Sequence, residues 1–177
     1  HTGLTTEHNY MSNPWLWPLQ YRPTAFYFED VTDVACGAER CVSAIHALGN
    51  PLIWWLGSAA LGWALWRVLR HRDMLALTVS AGVLAGWVPW LPYAYRTIFT
   101  FYSVAFAPFL VLTLVWALRR IAQPDRLAGG WSRRGVLIAG ITVGVILVVS
   151  GYFITIWTGI PIPYRLWHLH MWLPSWV

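Results

Sequence analysis

The chain has 177 residues, 58% of them hydrophobic and only 11% charged, with a mean hydropathy of +0.51. An average soluble domain is about 25% charged, so a soluble globule of this length is excluded. All twelve basic residues are arginine, giving a formal net charge of +5, and most lie in short loops between apolar blocks. That excludes nucleic acid as a partner, which requires a basic face on a soluble fold. The apolar residues form four blocks, each near the twenty residues that cross a hydrocarbon core. The expected fold class is an all-α integral membrane protein with four transmembrane helices.

Residues 1–50 hold five of the seven acids, Glu7, Glu29, Asp30, Asp33 and Glu39, with Pro14, Pro18 and Pro23 set among Trp15, Trp17, Phe26 and Tyr27. The proline spacing rules out one long helix, and Trp and Tyr suit headgroup depth. A water-facing loop lying on the membrane is expected. Glu7 and His8 stand where a basic and then an apolar region would mark a signal peptide. The chain is therefore expected to be a C-terminal piece of a longer membrane protein, with a mature product after processing as the alternative.

The first span is expected at about Pro51–Leu69, with Asn50 as N-cap and Pro51 in the first turn. The second covers about Leu75–Leu91 and carries Gly82 and Gly86 at a spacing that lets helix backbones approach closely. A third, about Ile98–Leu118, has Pro108 near its middle, so a kink is expected there. The fourth runs from about Gly135 to Trp157, and Gly140 and Gly144 repeat the close-packing spacing. Three regions result: an external interfacial segment 1–50, a four-helix domain 51–157 and an external aromatic tail 158–177.

Arg67, Arg70 and Arg72 lie between the first two spans, and Arg119, Arg120, Arg126, Arg133 and Arg134 between the last two. The positive-inside rule puts both loops in the cytoplasm, which places residues 1–50, the loop around Arg96 and the tail outside. Cys36 and Cys41, the only cysteines, fall in the outer segment, where an oxidising environment lets them pair. Two free thiols are the alternative. A zinc site lacks a second ligand pair, and no metal is expected.

Arg96 stands on the side where the rule disfavours arginine, among Tyr93, Tyr95, Phe99, Phe101 and Tyr102. Guanidinium recognises phosphate in a planar, bidentate way, so one reading is an anionic lipid headgroup held in a specific site. The other is an arginine that snorkels to ordinary lipid phosphates. In the tail, His168 and His170 are two apart and occupy different faces of a helix, so an aromatic plug is expected rather than a shared metal. A haem or quinone protein using His46, His71, His168 and His170 is disfavoured because none lies mid-span. Glu29 and Asp30 are adjacent, not opposed across a cleft as glycosidase carboxylates are, and are read as solvated.

Residues 8–23 read HNYMSNPWLWPLQYRP. This resembles the signature of protein O-mannosyltransferases: a His-x-Tyr-x-Ser element, then Pro-Trp, a second Trp, Pro and an Arg-Pro pair. The resemblance continues through Asn50, Pro51, Trp54 and Trp55, through Arg96, Phe99, Phe101 and Tyr102, and into MWLPSW at 171–176. The chain looks like the four-helix C-terminal region of the bacterial, actinobacterial-type enzymes. Two departures are His170, where a basic residue is expected before MWLPSW, and Ser103-Val104-Ala105, where a proline is expected.

The resemblance implies a parent enzyme with a multi-spanning GT-C-type glycosyltransferase fold. It would transfer mannose from a polyprenyl-phosphate-mannose donor to Ser or Thr of secreted acceptor proteins. It also implies a catalytic Asp-Glu pair far upstream, so this chain alone is expected to be inert. Its part would be lipid-phosphate and acceptor binding, for which His8, Tyr10, Trp15, Trp17, Arg22 and Arg96 are the candidates. Membrane lipids and the N-terminal transmembrane part of the same enzyme are the other expected partners, and no cofactor is implied. The alternative from a different class is a non-enzymatic membrane scaffold or assembly subunit acting through its glycine faces.

Overall fold

A computed structural model describes residues 6–32, 36–124 and 130–177. Asp33 and Arg126, used above for composition and topology, lie outside the described residues. The chain divides into two compact units. One, here the aromatic unit, comprises residues up to Gly49, Leu91–Tyr102 and Ser150–Val177; the other, the helical unit, comprises Asn50–Trp90 and Ser103–Val149.

The helical unit is built on α1 (Pro51–His71), α2 (Met74–Trp87), α3 (Ala107–Ala122) and most of α4 (Arg133–Thr158). The start of α1 follows from its first two residues. Pro51 needs no hydrogen-bonded N–H in the first turn, and the Asn50 side-chain oxygen accepts from the Leu52 and Ile53 amides at 2.9 and 3.4 Å. The Asn50 amide also donates to the Ile146 carbonyl of α4 at 3.0 Å, so one side chain caps one helix and ties down another. Arg72 ends α1 in the left-handed region, φ 49°, and Asp73 then caps α2 by accepting from the Ala76 amide at 3.2 Å.

Packing in this unit depends on small residues. A Cβ on Gly86 would lie 2.8 Å from the Phe106 Cβ, and one on Gly57 2.7 Å from the Leu110 Cγ. Phe106 and Leu110 are buried, and Trp54 meets Phe106 edge-on at 5.6 Å. The expected close packing at Gly140 and Gly144 is not found: a side chain on either would meet nothing within 4 Å. Only 6% of the most apolar window of α4 is buried, and spacing alone does not supply a partner helix.

Among the described residues, three helical stretches, Pro51–His71, Met74–Tyr93 and Arg133–Thr158, are long and apolar enough to cross a membrane. The third expected span differs. Residues Thr100–Ala105 form a 3-10 turn and α3 begins only at Ala107, leaving 16 residues. Pro108 therefore sits in a first turn rather than at a mid-helix kink. A proline is tolerated there because the amide it lacks has no intrahelical partner anyway, whereas further in it would clash with the preceding turn.

The aromatic unit corrects the expectation of an all-helical chain. Strands β1 (Ala25–Val31) and β2 (Cys41–His46) pair antiparallel, and the two-residue β3 (Ile162–Pro163) adds to β2, giving the order β1-β2-β3. Phe26, Tyr27, Phe28, Val31, Val42 and Ile45 are strand-favouring types, but their polar neighbours and flanking prolines read as loop. A disulfide joins Cys36 to Cys41 beside the start of β2. The short helix α5 (Tyr164–Leu169) follows β3.

Candidate functional site

The segment carrying the signature is held by bonds from 97–102 and from the C-terminal residues. The Ser12 amide donates to the Ile98 carbonyl at 2.8 Å. The hydroxyls of Thr97 and Thr100 donate to the carbonyls of Thr6 and Arg22. Pro14–Leu19 forms a 3-10 turn, capped by the Asn13 side-chain oxygen, which accepts from the Trp15 amide at 3.0 Å. The turn sorts its two tryptophans. Trp15 is 59% exposed, while Trp17 is fully buried, its indole N–H donating to the Ser12 hydroxyl at 2.8 Å.

Three of the six candidates come together. His8 is exposed; its Nδ1 accepts from the Tyr10 amide at 3.1 Å, and its ring meets Phe99 edge-on at 5.2 Å. The His8 and Tyr10 rings are 5.9 Å apart. Arg22 lies over Tyr10 at 5.7 Å. Its guanidinium donates to the Asn9 carbonyl from Nε at 3.1 Å and Nη2 at 2.8 Å, and from Nη1 to the Ser175 carbonyl at 2.8 Å and the Val177 carbonyl at 3.3 Å. Arg22 thus ties the signature segment to the tail. Beside it lies a cleft of about 200 Å³, lined by Met11, Ser12, Asn13, Trp17, Tyr21 and Arg22 among others. Arg96 is half-buried, its guanidinium over the Tyr93 ring at 5.7 Å.

The residues that hold this face include one that gave no signal in the sequence. Gln20, 1% exposed and with φ 54°, is the densest knot. Its side-chain amide donates to the Trp17 carbonyl at 3.2 Å, its side-chain oxygen accepts from the Gly49 amide at 3.1 Å, and its carbonyl accepts from the Trp176 indole at 2.8 Å. The Ser175 hydroxyl donates to the Tyr21 carbonyl. His170, the departure noted before MWLPSW, is 1% exposed and stacks on Tyr152 at 4.1 Å. Its Nδ1 is 2.7 Å from the Leu166 carbonyl and its Nε2 is 2.8 Å from the Tyr152 carbonyl.

The electrostatics separate interior from surface. His46 is buried and accepts a hydrogen bond at Nε2 from the Trp167 indole, 3.1 Å away. Burial, with a smaller contribution from His170, pushes its pKa down to about 4. The bond requires the unprotonated nitrogen, so both observations describe a neutral imidazole. At the surface, Arg40 grips Asp30 with two bonds of 2.6 and 3.1 Å, holding that carboxyl below the usual range. Glu29 accepts from the Tyr27 hydroxyl. The two adjacent acids thus face different partners rather than one bond.

Helices long and apolar enough to span a bilayer define a multi-pass membrane protein. The family described as the C-terminal four TMM region of protein-O-mannosyltransferase matches residues 1–176, and the chain belongs to that family. It is 34% identical over 180 residues to the polyprenol-phosphate-mannose--protein mannosyltransferase of Mycolicibacterium smegmatis, covering 99% of this chain and 35% of that protein. The protein of the same name from Mycobacterium tuberculosis is 33% identical, with 99% and 34% covered. The chain therefore spans about a third of the length of these relatives. The fold is similar to that of the S. cerevisiae protein O-mannosyltransferase Pmt1-Pmt2 complex bound to the sugar donor. There the TM-score is 0.68 at 18% identity, with 98% of this chain and 24% of that one covered.

Proposed function

We propose that this chain is the C-terminal membrane region of an enzyme that transfers mannose from polyprenyl-phosphate-mannose to Ser or Thr hydroxyls of secreted proteins. The observation that carries the reading is the family match over residues 1–176, joined to relatives whose names state that donor and reaction. In such a transfer the acceptor oxygen attacks the anomeric carbon as the bond to the phosphate oxygen breaks. A carboxylate takes the hydroxyl proton, and cationic donors steady the departing polyprenyl phosphate. The resemblance assigns the carboxylate to an upstream Asp-Glu pair, so this region binds rather than catalyses.

Exposure supports a division among the six candidates. His8, Tyr10 and Trp15 offer accessible ring surface, suited to an acceptor peptide, and Arg96 offers a guanidinium on an aromatic rim, suited to the lipid phosphate. Trp17 and Arg22 act through position, because their polar groups are bonded within the fold. Four crossings are proposed, with α3 extended by the turn before it. The arginine-rich loops then face the cytoplasm, and the signature segment and tail face outward.

The test is transfer of labelled mannose from a polyprenyl-phosphate donor to a Ser/Thr peptide by the full-length parent enzyme and by this chain, each purified and reconstituted. Transfer by the parent alone, dependent on both donor and hydroxyl, supports the reading. No transfer by either, with the fold retained, supports the scaffold alternative.

A further inference from the structure

In the helical unit, the described residues include seven arginines, Arg67, Arg70, Arg72, Arg119, Arg120, Arg133 and Arg134, and one carboxylate, Asp73. Asp73 is nearly buried and is shared: Arg67 donates to its Oδ2 at 3.3 Å, and Arg120 donates to the same oxygen. One carboxylate between two guanidinium groups leaves excess positive charge in a partly dry place, where an unbalanced charge is costly. Beside this triad, between α2 and α3, lies a cleft of about 170 Å³. Leu75, Val79, Leu112 and Val115 form its apolar wall, and Trp116, Arg119, Arg120 and Gln123 supply its polar lining.

Several donors here have no hydrogen-bond acceptor among the described residues: the indole N–H of Trp116, itself 4% exposed, and the Nε atoms of Arg67 and Arg120. A buried donor left unpaired costs about 1–3 kcal/mol, so a side-chain adjustment that brings the Trp116 and Arg120 donors to an acceptor in the cleft is favoured. Arg119 is exposed at the mouth of the cleft.

We propose that this cleft is a binding site for an anionic phospholipid, whose phosphate is taken by Arg119, Arg120 and the Trp116 indole N–H and whose acyl chain lies along Leu75, Val79, Leu112 and Val115. The occupant is lipid rather than free phosphate because an apolar wall at the end of membrane helices complements a chain, and an inorganic ion would leave that wall uncovered. Basic pockets between helices at a membrane face recognise headgroups in this way. The site uses only residues of the helical unit and does not depend on the mannosyl-transfer reading.

The experiment is a thermal-unfolding titration of the delipidated protein in detergent with phosphatidylglycerol, phosphatidylcholine or inorganic phosphate. Native mass spectrometry counts retained lipid. Phosphatidylglycerol is expected to raise the unfolding midpoint by several degrees and to persist as a bound adduct, while phosphatidylcholine and millimolar phosphate leave the midpoint unchanged. Trp116→Phe removes the N–H together with the indole's five-membered ring, and Arg119→Gln removes an exposed charge. Each should at least halve the phosphatidylglycerol shift measured from its own lipid-free midpoint, which falls for Trp116→Phe because buried volume is lost and stays unchanged for Arg119→Gln. Arg165→Gln, in the aromatic unit, should leave the shift intact. Equal responses to the two lipids, an equal effect of free phosphate, or an undiminished shift in the Trp116→Phe, Arg119→Gln double variant would overturn the proposal.

Discussion

The aromatic and helical units use the same residue type in opposite ways. Trp17, Trp157, Trp167 and Trp176 of the aromatic unit each donate an indole N–H to a named acceptor: the Ser12 hydroxyl, the Leu48 carbonyl, His46 Nε2 and the Gln20 carbonyl. In the helical unit Trp116 packs against Ala60, Ala64, Ala76 and Ala117 and beside Trp63, with its N–H unbonded. Around these tryptophans, the aromatic unit is fixed by directional bonds and the helical unit by volume and close approach. A segment with few helical turns must satisfy its backbone groups through side chains, whereas membrane helices satisfy theirs internally.

That contrast predicts which changes hurt where. The largest effect is expected from acid on the aromatic unit. His46 stays neutral when folded down to about pH 4, whereas an unfolded histidine takes its proton near 6.5. Stability is therefore full above pH 6.5 and lost as pH falls toward 4, on the order of 3 kcal/mol over that window. Unfolding midpoints of wild type and His46→Gln across pH 4–7 should show a steeper fall for wild type; parallel curves would remove His46 from the account. Next comes overpacking of the helical unit. Gly86→Val would drive methyl groups into Phe106 and is expected to cost about 2 kcal/mol, read by denaturant or thermal unfolding at any pH.

The sharpest comparison truncates one buried indole in each unit to a phenyl ring, so that the lost volume is similar and the lost hydrogen bond differs. Trp17→Phe removes the bond to Ser12 and should cost about 1 kcal/mol more than Trp116→Phe, which removes no bond in lipid-free protein. Equal costs would mean the two units are not held differently. At the small end, Arg40→Gln breaks an exposed pair with Asp30 and should leave the unfolding midpoint unchanged, since surface pairs contribute little.

The sequence was most readable where one residue determines local geometry. Asn50-Pro51 fixes the start of α1, and the apolar run to Trp157 fixes α4. It was least readable where geometry comes from distant partners. The strands at 25–31 and 41–46 are short, their polar positions look like loop, and β3 is two residues far along the chain. Pro108 reads as a kink because an apolar run does not show where a helix begins. In the site, the residue types were visible but their burial was not. Arg22 reads as a free cation until Asn9 and Ser175 are placed beside it, and Gln20 carries no pattern that announces a left-handed, fully buried knot.

The central claim is that this chain supplies the lipid-phosphate side of a mannosyl transfer. Arg96→Ala in the reconstituted full-length parent enzyme tests it most directly, with donor titrated at fixed acceptor peptide. The account predicts a raised apparent KM for polyprenyl-phosphate-mannose, an unchanged KM for the peptide and an unchanged unfolding midpoint. An unchanged donor KM would contradict it and leave Arg96 as an arginine resting against ordinary lipid phosphates.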